Sequence, residues 1–131
     1  EKVKRRFKMT KKILLIDDSE MVLQILGAII EDMDYELETA TDGMEGLEEL
    51  TKTEYDCLIT DLNMPIMDGY TLIKKVRGMD QYKEIPIVIV TTEKEASDKE
   101  KGFAVGADIY LVKPVQKEEL QEKLKMLLED N

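Results

Sequence analysis

The chain has 131 residues, a length that suits one compact domain able to bury roughly two-thirds of its unfolded surface without disulfides or a structural metal. Its single cysteine, Cys57, excludes an internal disulfide, and the lack of histidine excludes His-based nucleophilic triads, His-ligated metals and a phospho-histidine donor within this chain. Charged residues make up 37%, against a typical ~25%, and the net charge is −10: residues 1–12 contribute +6 (seven Lys/Arg against Glu1), leaving −16 for the rest, a body that repels nucleic-acid phosphates.

Residues 1–10 read as a basic tail, the remnant of an upstream segment or an added tag, with Met9 as a native initiator. From Lys11 onward, short apolar runs alternate with longer segments of helical spacing. The first run, Ile13-Leu14-Leu15-Ile16, is apolar at successive positions, the mark of a strand buried on both faces. A helix follows, with Ser19 as its N-cap and an expected core stripe of Val22, Ile25, Leu26, Ile29, Ile30 and Met33. The second strand, Glu36 to Ala40, alternates polar and apolar and belongs at an edge. A helix over about 42–52 turns Met44, Leu47 and Leu50 inward. The third strand runs from Asp56 to Thr60, with Cys57 as a small core residue, and the helix over about 68–78 buries Leu72, Ile73 and Val76. The fourth strand is Ile87 to Val90. Residues 94–105 are mostly charged, with little apolar stripe beyond Ala96, Phe103 and Ala104. The fifth strand, Ile109 to Val112, leads to a last helix over about 117–129 carrying Leu120, Leu124, Leu127 and Leu128. The sum is an α/β fold, (βα)5, a doubly wound parallel five-stranded sheet in a single domain, with no second domain in this chain. No run approaches the ~20 apolar residues that span a bilayer, and no secretory signal is present, so a cytoplasmic location and no membrane partner are expected.

Open α/β sheets bind ligands at the carboxyl ends of their strands. Asp17 and Asp18 follow the first strand, Asp61 ends the third, Thr91 and Thr92 follow the fourth, and Lys113-Pro114 follows the fifth. Three carboxylates, a hydroxyl and an ammonium are thus expected on one rim. Carboxylates gathered this closely repel one another unless a cation intervenes. Mg²⁺ suits them best, since it takes one or two protein carboxylates, keeps waters and accepts phosphate oxygens, whereas Zn²⁺ lacks its Cys or His ligands here. A carboxylate beside Mg²⁺ and a lysine is a good acceptor of a phosphoryl group.

These residues resemble the receiver domain of bacterial two-component response regulators, the group that includes the stand-alone chemotaxis regulator. The resemblance spans residues 11–129 and rests on Asp17-Asp18, Asp61, Met64-Pro65 with Asp68-Gly69, Thr91, and Lys113-Pro114. It implies a CheY-like, flavodoxin-like sheet of order 2-1-3-4-5, with residues 11–131 as the receiver domain. It further implies that Asp61 takes the phosphoryl group from a phospho-histidine on a sensor histidine kinase or a histidine phosphotransfer protein. Asp18 would ligate Mg²⁺ directly and Asp17 through water, with a carboxylate oxygen of Asp61 and the backbone carbonyl of Asn63 completing the protein's share. Lys113 would pair with the phosphate, and its bond to Pro114 would be cis. Gly69 would permit a tight backbone after the acceptor loop. Thr91 and Tyr110 would switch the surface of the fourth helix, fifth strand and fifth helix toward an output partner. Such a domain is a phosphoacceptor with only self-phosphorylation and self-dephosphorylation, not an enzyme acting on other substrates, and it binds no nucleic acid directly.

Two positions depart from the family pattern. Thr92 replaces a smaller Ala or Gly, a bulk expected to hinder the hydrolytic water and slow dephosphorylation, and Val115 replaces the Phe common after the Lys-Pro pair, which is expected to alter packing near the output face. Two other readings compete. A pseudo-receiver would use the fold as an unphosphorylated interaction module. A haloacid-dehalogenase-like phosphatase needs Asp-x-Asp after the first strand, whereas here the aspartates are adjacent and the acceptor lies on the third. A P-loop or dinucleotide site is excluded by the lack of glycines after the first strand.

Overall fold

The computed structural model describes residues 10–129; apart from Thr10, the expected basic tail lies outside the described residues. Five strands and five helices alternate: β1 (Lys12–Ile16), α1 (Glu20–Glu31), β2 (Glu36–Ala40), α2 (Gly43–Lys52), β3 (Cys57–Thr60), α3 (Gly69–Arg77), β4 (Ile87–Thr91), α4 (Ala96–Val105), β5 (Ile109–Val112) and α5 (Lys117–Leu128), with a 3₁₀ turn at Asp80–Tyr82. The strands pair in parallel in the order β2-β1-β3-β4-β5, the order the resemblance implied.

Side chains alternate across a strand, so each central strand feeds two cores. Leu14 and Ile16 of β1, Leu58 of β3 and Ile87 and Ile89 of β4 face one side, where Leu50, Leu72, Ile73 and Val76 of α2 and α3 cover them. Ile13, Leu15, Ile59, Val88 and Val90 face the other, against Leu23, Leu26 and Ile30 of α1 and Leu120, Leu124 and Leu128 of α5. This two-sided burial is why β1, β3 and β4 read as apolar runs, and why the edge strand β2, with Glu36 and Glu38 exposed, does not. Cys57 belongs to the second core, where burial pushes its thiol far above the ordinary range and leaves it unreactive.

Capping residues fix several helix starts. The Val22 N–H donates to Ser19 Oγ at 3.3 Å, the Glu45 N–H to Asp42 Oδ1 at 2.8 Å, and the Thr71 N–H to Asp68 Oδ1 at 2.8 Å. Asp42 and Asp68 are therefore caps just outside helices that the sequence pattern started one residue early.

The expected stripe of α1 holds except at Ile25: Leu26 and Ile30 are buried, and Val22, Ile29 and Met33 pack partly buried against the same core. Its buried residues are Leu23, Leu26, Gly27 and Ile30, and Ile25 is 55% exposed. Leu23 joins the buried face beyond the expected stripe, and Gly27 lets the backbone close on Leu37 of β2, 3.1 Å from where a Cβ would stand. Met44 is likewise exposed, because α2 buries Gly43, Gly46 and Leu50 instead. In α4 the only buried residue is Gly102, in keeping with its weak apolar stripe.

Two polar clasps tie the loops at the amino ends of the strands. The Arg77 guanidinium donates to the carbonyls of Gly106 (2.8 and 3.1 Å), Tyr82 (3.1 Å) and Lys83 (3.2 Å) and pairs with Asp108 at 3.1 Å. Gly106 has φ +126°, and a Cβ there would fall 2.8 Å from Arg77, so both backbone and space demand glycine. The buried Tyr82 hydroxyl lies within hydrogen-bonding distance of the carbonyls of Leu50 (3.0 Å) and Thr53 (3.1 Å) and accepts the Tyr55 N–H at 3.2 Å. The high charge content does not assemble into ion-pair networks away from the sheet's carboxyl edge: among the described residues Lys52–Glu49, Lys83–Asp80 and Lys117–Asp32 are isolated, largely exposed pairs worth little each. Two described non-glycine residues have positive φ: Asp34 at +65°, a residue type that tolerates it, and Ile66, which does not. Ile66, after β3, has φ +72°, a left-handed conformation that costs a non-glycine residue roughly 1–3 kcal/mol.

Arg77→Lys keeps the charge but loses the planar fork that reaches several acceptors at once. It is expected to lower unfolding free energy by about 1–3 kcal/mol, read as a lower urea midpoint with an unchanged slope.

Candidate functional site

The backbone ladder continues past the strands and sets the site residues side by side. The Asp17 N–H donates to Ala40 O at 3.1 Å, the Asp61 N–H to Ile16 O at 3.0 Å and the Lys113 N–H to Thr91 O at 2.8 Å. Each residue just beyond a strand is thereby held by its neighbouring strand. Extending the β3–β4 register places Asp61 level with Val90 and Thr91 one residue further on.

Asp17, Asp18 and Asp61 come together: one carboxylate oxygen from each lies within 4.8 Å of the others. Asp17 is 2% and Asp61 8% exposed, while Asp18 opens to solvent. Lys113 reaches across from the end of β5 and donates to Asp17 Oδ2 at 2.8 Å and to Asp61 Oδ2 at 3.1 Å. The peptide bond joining it to Pro114 is cis, as the resemblance implied. The other Asp17 oxygen accepts the Ser19 N–H at 2.9 Å, and the other Asp61 oxygen accepts the Leu62 N–H at 2.6 Å.

Burial pushes the Asp17 carboxyl above the ordinary aspartate range, against the lowering pull of the Lys113 and Ser19 hydrogen bonds. At Lys113 burial works against the ammonium, but the Asp17 hydrogen bond and the charge of Asp61 outweigh it and hold its pKa above the usual lysine value. When all are ionised, three carboxylates face one ammonium and two negative charges stay uncompensated. A hard divalent cation with oxygen ligands fits that donor set and that charge.

The loops after β3 and β4 close over the rim. Gly69 starts α3 with its N–H donating to Leu62 O at 2.8 Å, and a Cβ there would fall 2.3 Å from Asp61 O, so glycine is required by close approach and not by a positive φ. Asn63 is exposed and its side-chain amide donates to Glu93 Oε2 at 2.5 Å. Thr91 is fully buried, with its hydroxyl accepting the Glu93 N–H at 3.3 Å, and Thr92 beside it is exposed. The Tyr110 hydroxyl donates to Glu93 O at 2.8 Å, and burial pushes this phenol's pKa up to about 12. Glu93 therefore links Asn63, Thr91 and Tyr110, a role the sequence reading missed; its only signal was its place two residues beyond Thr91 on the same rim.

Val115 packs partly buried against the core between α1 and α5. It lines an apolar groove of about 240 Å³ with Val22, Ile25, Leu26, Lys113 and Pro114, on the α1 side of the site. The reason is topological: β5 returns its chain to α5, which packs on α1.

Comparison with known proteins agrees with this architecture. The family model described as the response regulator receiver domain matches residues 13–125. The transcriptional regulatory protein PrrA of Mycobacterium leprae is 35% identical over 117 residues, covering 89% of this chain and 49% of that protein. SrrA of Staphylococcus aureus, also a transcriptional regulatory protein, is 33% identical over 120 residues, covering 92% and 48%. The chain thus spans about half the length of the curated relatives it matches. Among solved structures, the chemotaxis response regulator CheY4 of Vibrio cholerae superposes with a TM-score of 0.86 at 42% identity, over 91% of this chain and 99% of its own. The receiver domain of the sensor histidine kinase PA1611 from Pseudomonas aeruginosa, which holds a magnesium ion in its active site cleft, gives 0.86 at 25% identity over 92% and 99%. With its sheet order, its rim of aspartates and lysine, and a family match over most of its length, this chain belongs to the response regulator receiver domain family.

Proposed function

We propose that Asp61 accepts a phosphoryl group from the phospho-histidine of a sensor histidine kinase or a histidine phosphotransfer protein, in a Mg²⁺-dependent reaction. The observation that carries this reading is the Lys113 ammonium held between Asp17 and Asp61 at 2.8 and 3.1 Å, in a rim of three carboxylates. In the transfer, a carboxylate oxygen of Asp61 bonds to phosphorus as the donor's N–P bond breaks, and the electron pair of that bond returns to the imidazole. The product is an acyl phosphate on Asp61, later cleaved by water. Lys113 neutralises the phosphoryl oxygens, and the Thr91 hydroxyl donates to one of them.

The donor set fits Mg²⁺, which when bound lends positive charge to the transferring oxygens. Asp18 would ligate the ion directly and Asp17 through water, with Asp61 and the Asn63 carbonyl as the further protein ligands. The magnesium ion in the active site cleft of the PA1611 receiver supports Mg²⁺ as the cation, without bearing on these ligand roles. Thr91 and Tyr110 carry the signal outward. When Thr91 turns toward the phosphate, the Glu93 segment that holds Tyr110 rearranges, and the thinly packed α4 with β5 and α5 presents a new surface to an output partner. Residues 11–131 work as the receiver unit, with 1–10 a separate basic tail, in the cytoplasm; no described helix is long and apolar enough to cross a membrane. With a net charge of −16 over residues 13–131, the domain does not itself engage nucleic acid. Its chemistry is limited to its own phosphorylation and dephosphorylation. A pseudo-receiver role is disfavoured because the acceptor, the lysine and the acidic rim are all in place.

Acetyl phosphate with Mg²⁺ is expected to add one phosphoryl group to the chain, seen by intact mass. Asp61→Asn should abolish it, and persistent labelling of that variant would overturn the assignment. Mg²⁺ should raise the melting temperature, since the ion binds the folded pocket. Calorimetric titration should find Mg²⁺ affinity cut more by Asp18→Asn than by Asp17→Asn; equal losses would count against the ligand roles. Thr92→Ala should hasten decay of phospho-Asp61 several-fold by admitting the hydrolytic water, followed as loss of label over time.

A further inference from the structure

Ile66 occupies the loop between β3 and α3 with φ +72° and is 76% exposed. A β-branched side chain is poorly suited to that backbone, which glycine, asparagine and aspartate adopt with far less strain. Strain of this kind persists where the surroundings compensate it or where function requires it. Packing offers little compensation, because most of the side chain meets solvent. Its neighbours serve the fold directly: Met64 packs against the core and Met67 is buried there, against Gly43. The loop is pinned at both ends, by the Leu62 N–H on Asp61 Oδ1 at 2.6 Å and the Gly69 N–H on Leu62 O at 2.8 Å, so Ile66 is displayed from a held frame. Met21 in the first turn of α1 and Met44 in the first turn of α2 also expose large apolar side chains on segments leaving the same sheet edge.

We propose that Ile66 is a specificity-determining contact for the protein that donates the phosphoryl group, buried by an apolar patch of the donor while its phospho-histidine reaches Asp61. The inference rests on Asp61 being the acceptor. The choice of occupant follows from access. This chain has no histidine, so the donor arrives as another molecule. Asp61 is only 8% exposed, and an imidazole extends a single side chain from its backbone, so the donor must settle on the loops that wall the carboxylate. Ile66 projects from one of those loops, five residues beyond the acceptor. A small phosphodonor enters the pocket without touching it.

The test compares acetyl phosphate with a panel of autophosphorylated histidine-kinase cores, taking forward the core that labels the unmutated chain fastest. Ile66→Asn should raise the melting temperature by about 3 °C or more through relief of strain. Its labelling by acetyl phosphate should stay within twofold, while transfer from the kinase core falls tenfold or more, mainly as a higher KM. Ile66→Leu, which keeps the apolar bulk, should retain most of the transfer. Unchanged transfer from the kinase core to Ile66→Asn, an equal loss with both donors, or a lower melting temperature would each overturn the proposal. Failure of acetyl phosphate to label the unmutated chain would instead strike the Asp61 reading beneath it, so the two failures are distinguishable.

Discussion

Everything at the carboxyl edge of this sheet depends on one ammonium group. Lys113 is fixed by the main chain at Thr91 and spends its charge on Asp17 and Asp61, which lie on two other strands. Burying carboxylates is costly without a counter-charge, and here one lysine tempers two of them. The remaining negative charge favours a cation in the pocket, while the lysine tempers the repulsion between the carboxylates. Stability and reactivity thus meet in the same contact.

The sheet was legible because physics writes it redundantly. Strands buried on both faces must be apolar at every position, and Ile13 to Ile16, Cys57 to Thr60 and Ile87 to Val90 are short enough that no helix competes for them. The rim residues were legible for a related reason: a parallel sheet brings all strand ends to one edge, so reading one residue past each strand found Asp17, Asp61, Thr91 and Lys113 together. Strand order came from the family resemblance and not from periodicity. What stayed hidden were contacts made by residues with no pattern of their own. Arg77 and Tyr82 work by satisfying carbonyls of distant loops, and sequence spacing carries no trace of which carbonyls those are. The face of α1 was read correctly except at its margin, where Ile25 is exposed and Leu23 is buried in its place.

The two ends of the sheet are built for different tasks. At the amino ends, the Arg77 and Tyr82 clasps and a fully buried α3 face lock the loops between α2, α3 and β4. At the carboxyl ends, polar contacts run through Glu93, whose carboxylate takes the Asn63 amide, and through Lys113, whose partners are the buried Asp17 and Asp61. Helix α4 joins these regions with Gly102 as its single buried residue, while Phe103 leans on Tyr110 with ring centroids 6.3 Å apart. A helix held so lightly can shift without tearing the core, because almost no core belongs to it.

The outer strand β2 has a bearing on how this chain behaves in a crowd. An open sheet border is a template on which further chains can polymerise. Here Glu36 and Glu38 stand exposed along that border. Two molecules aligned border to border would press carboxylates against one another, and the electrostatic penalty would keep them apart. Two glutamates that lie away from the acidic rim thereby guard the sheet's outer border against fibrous self-association.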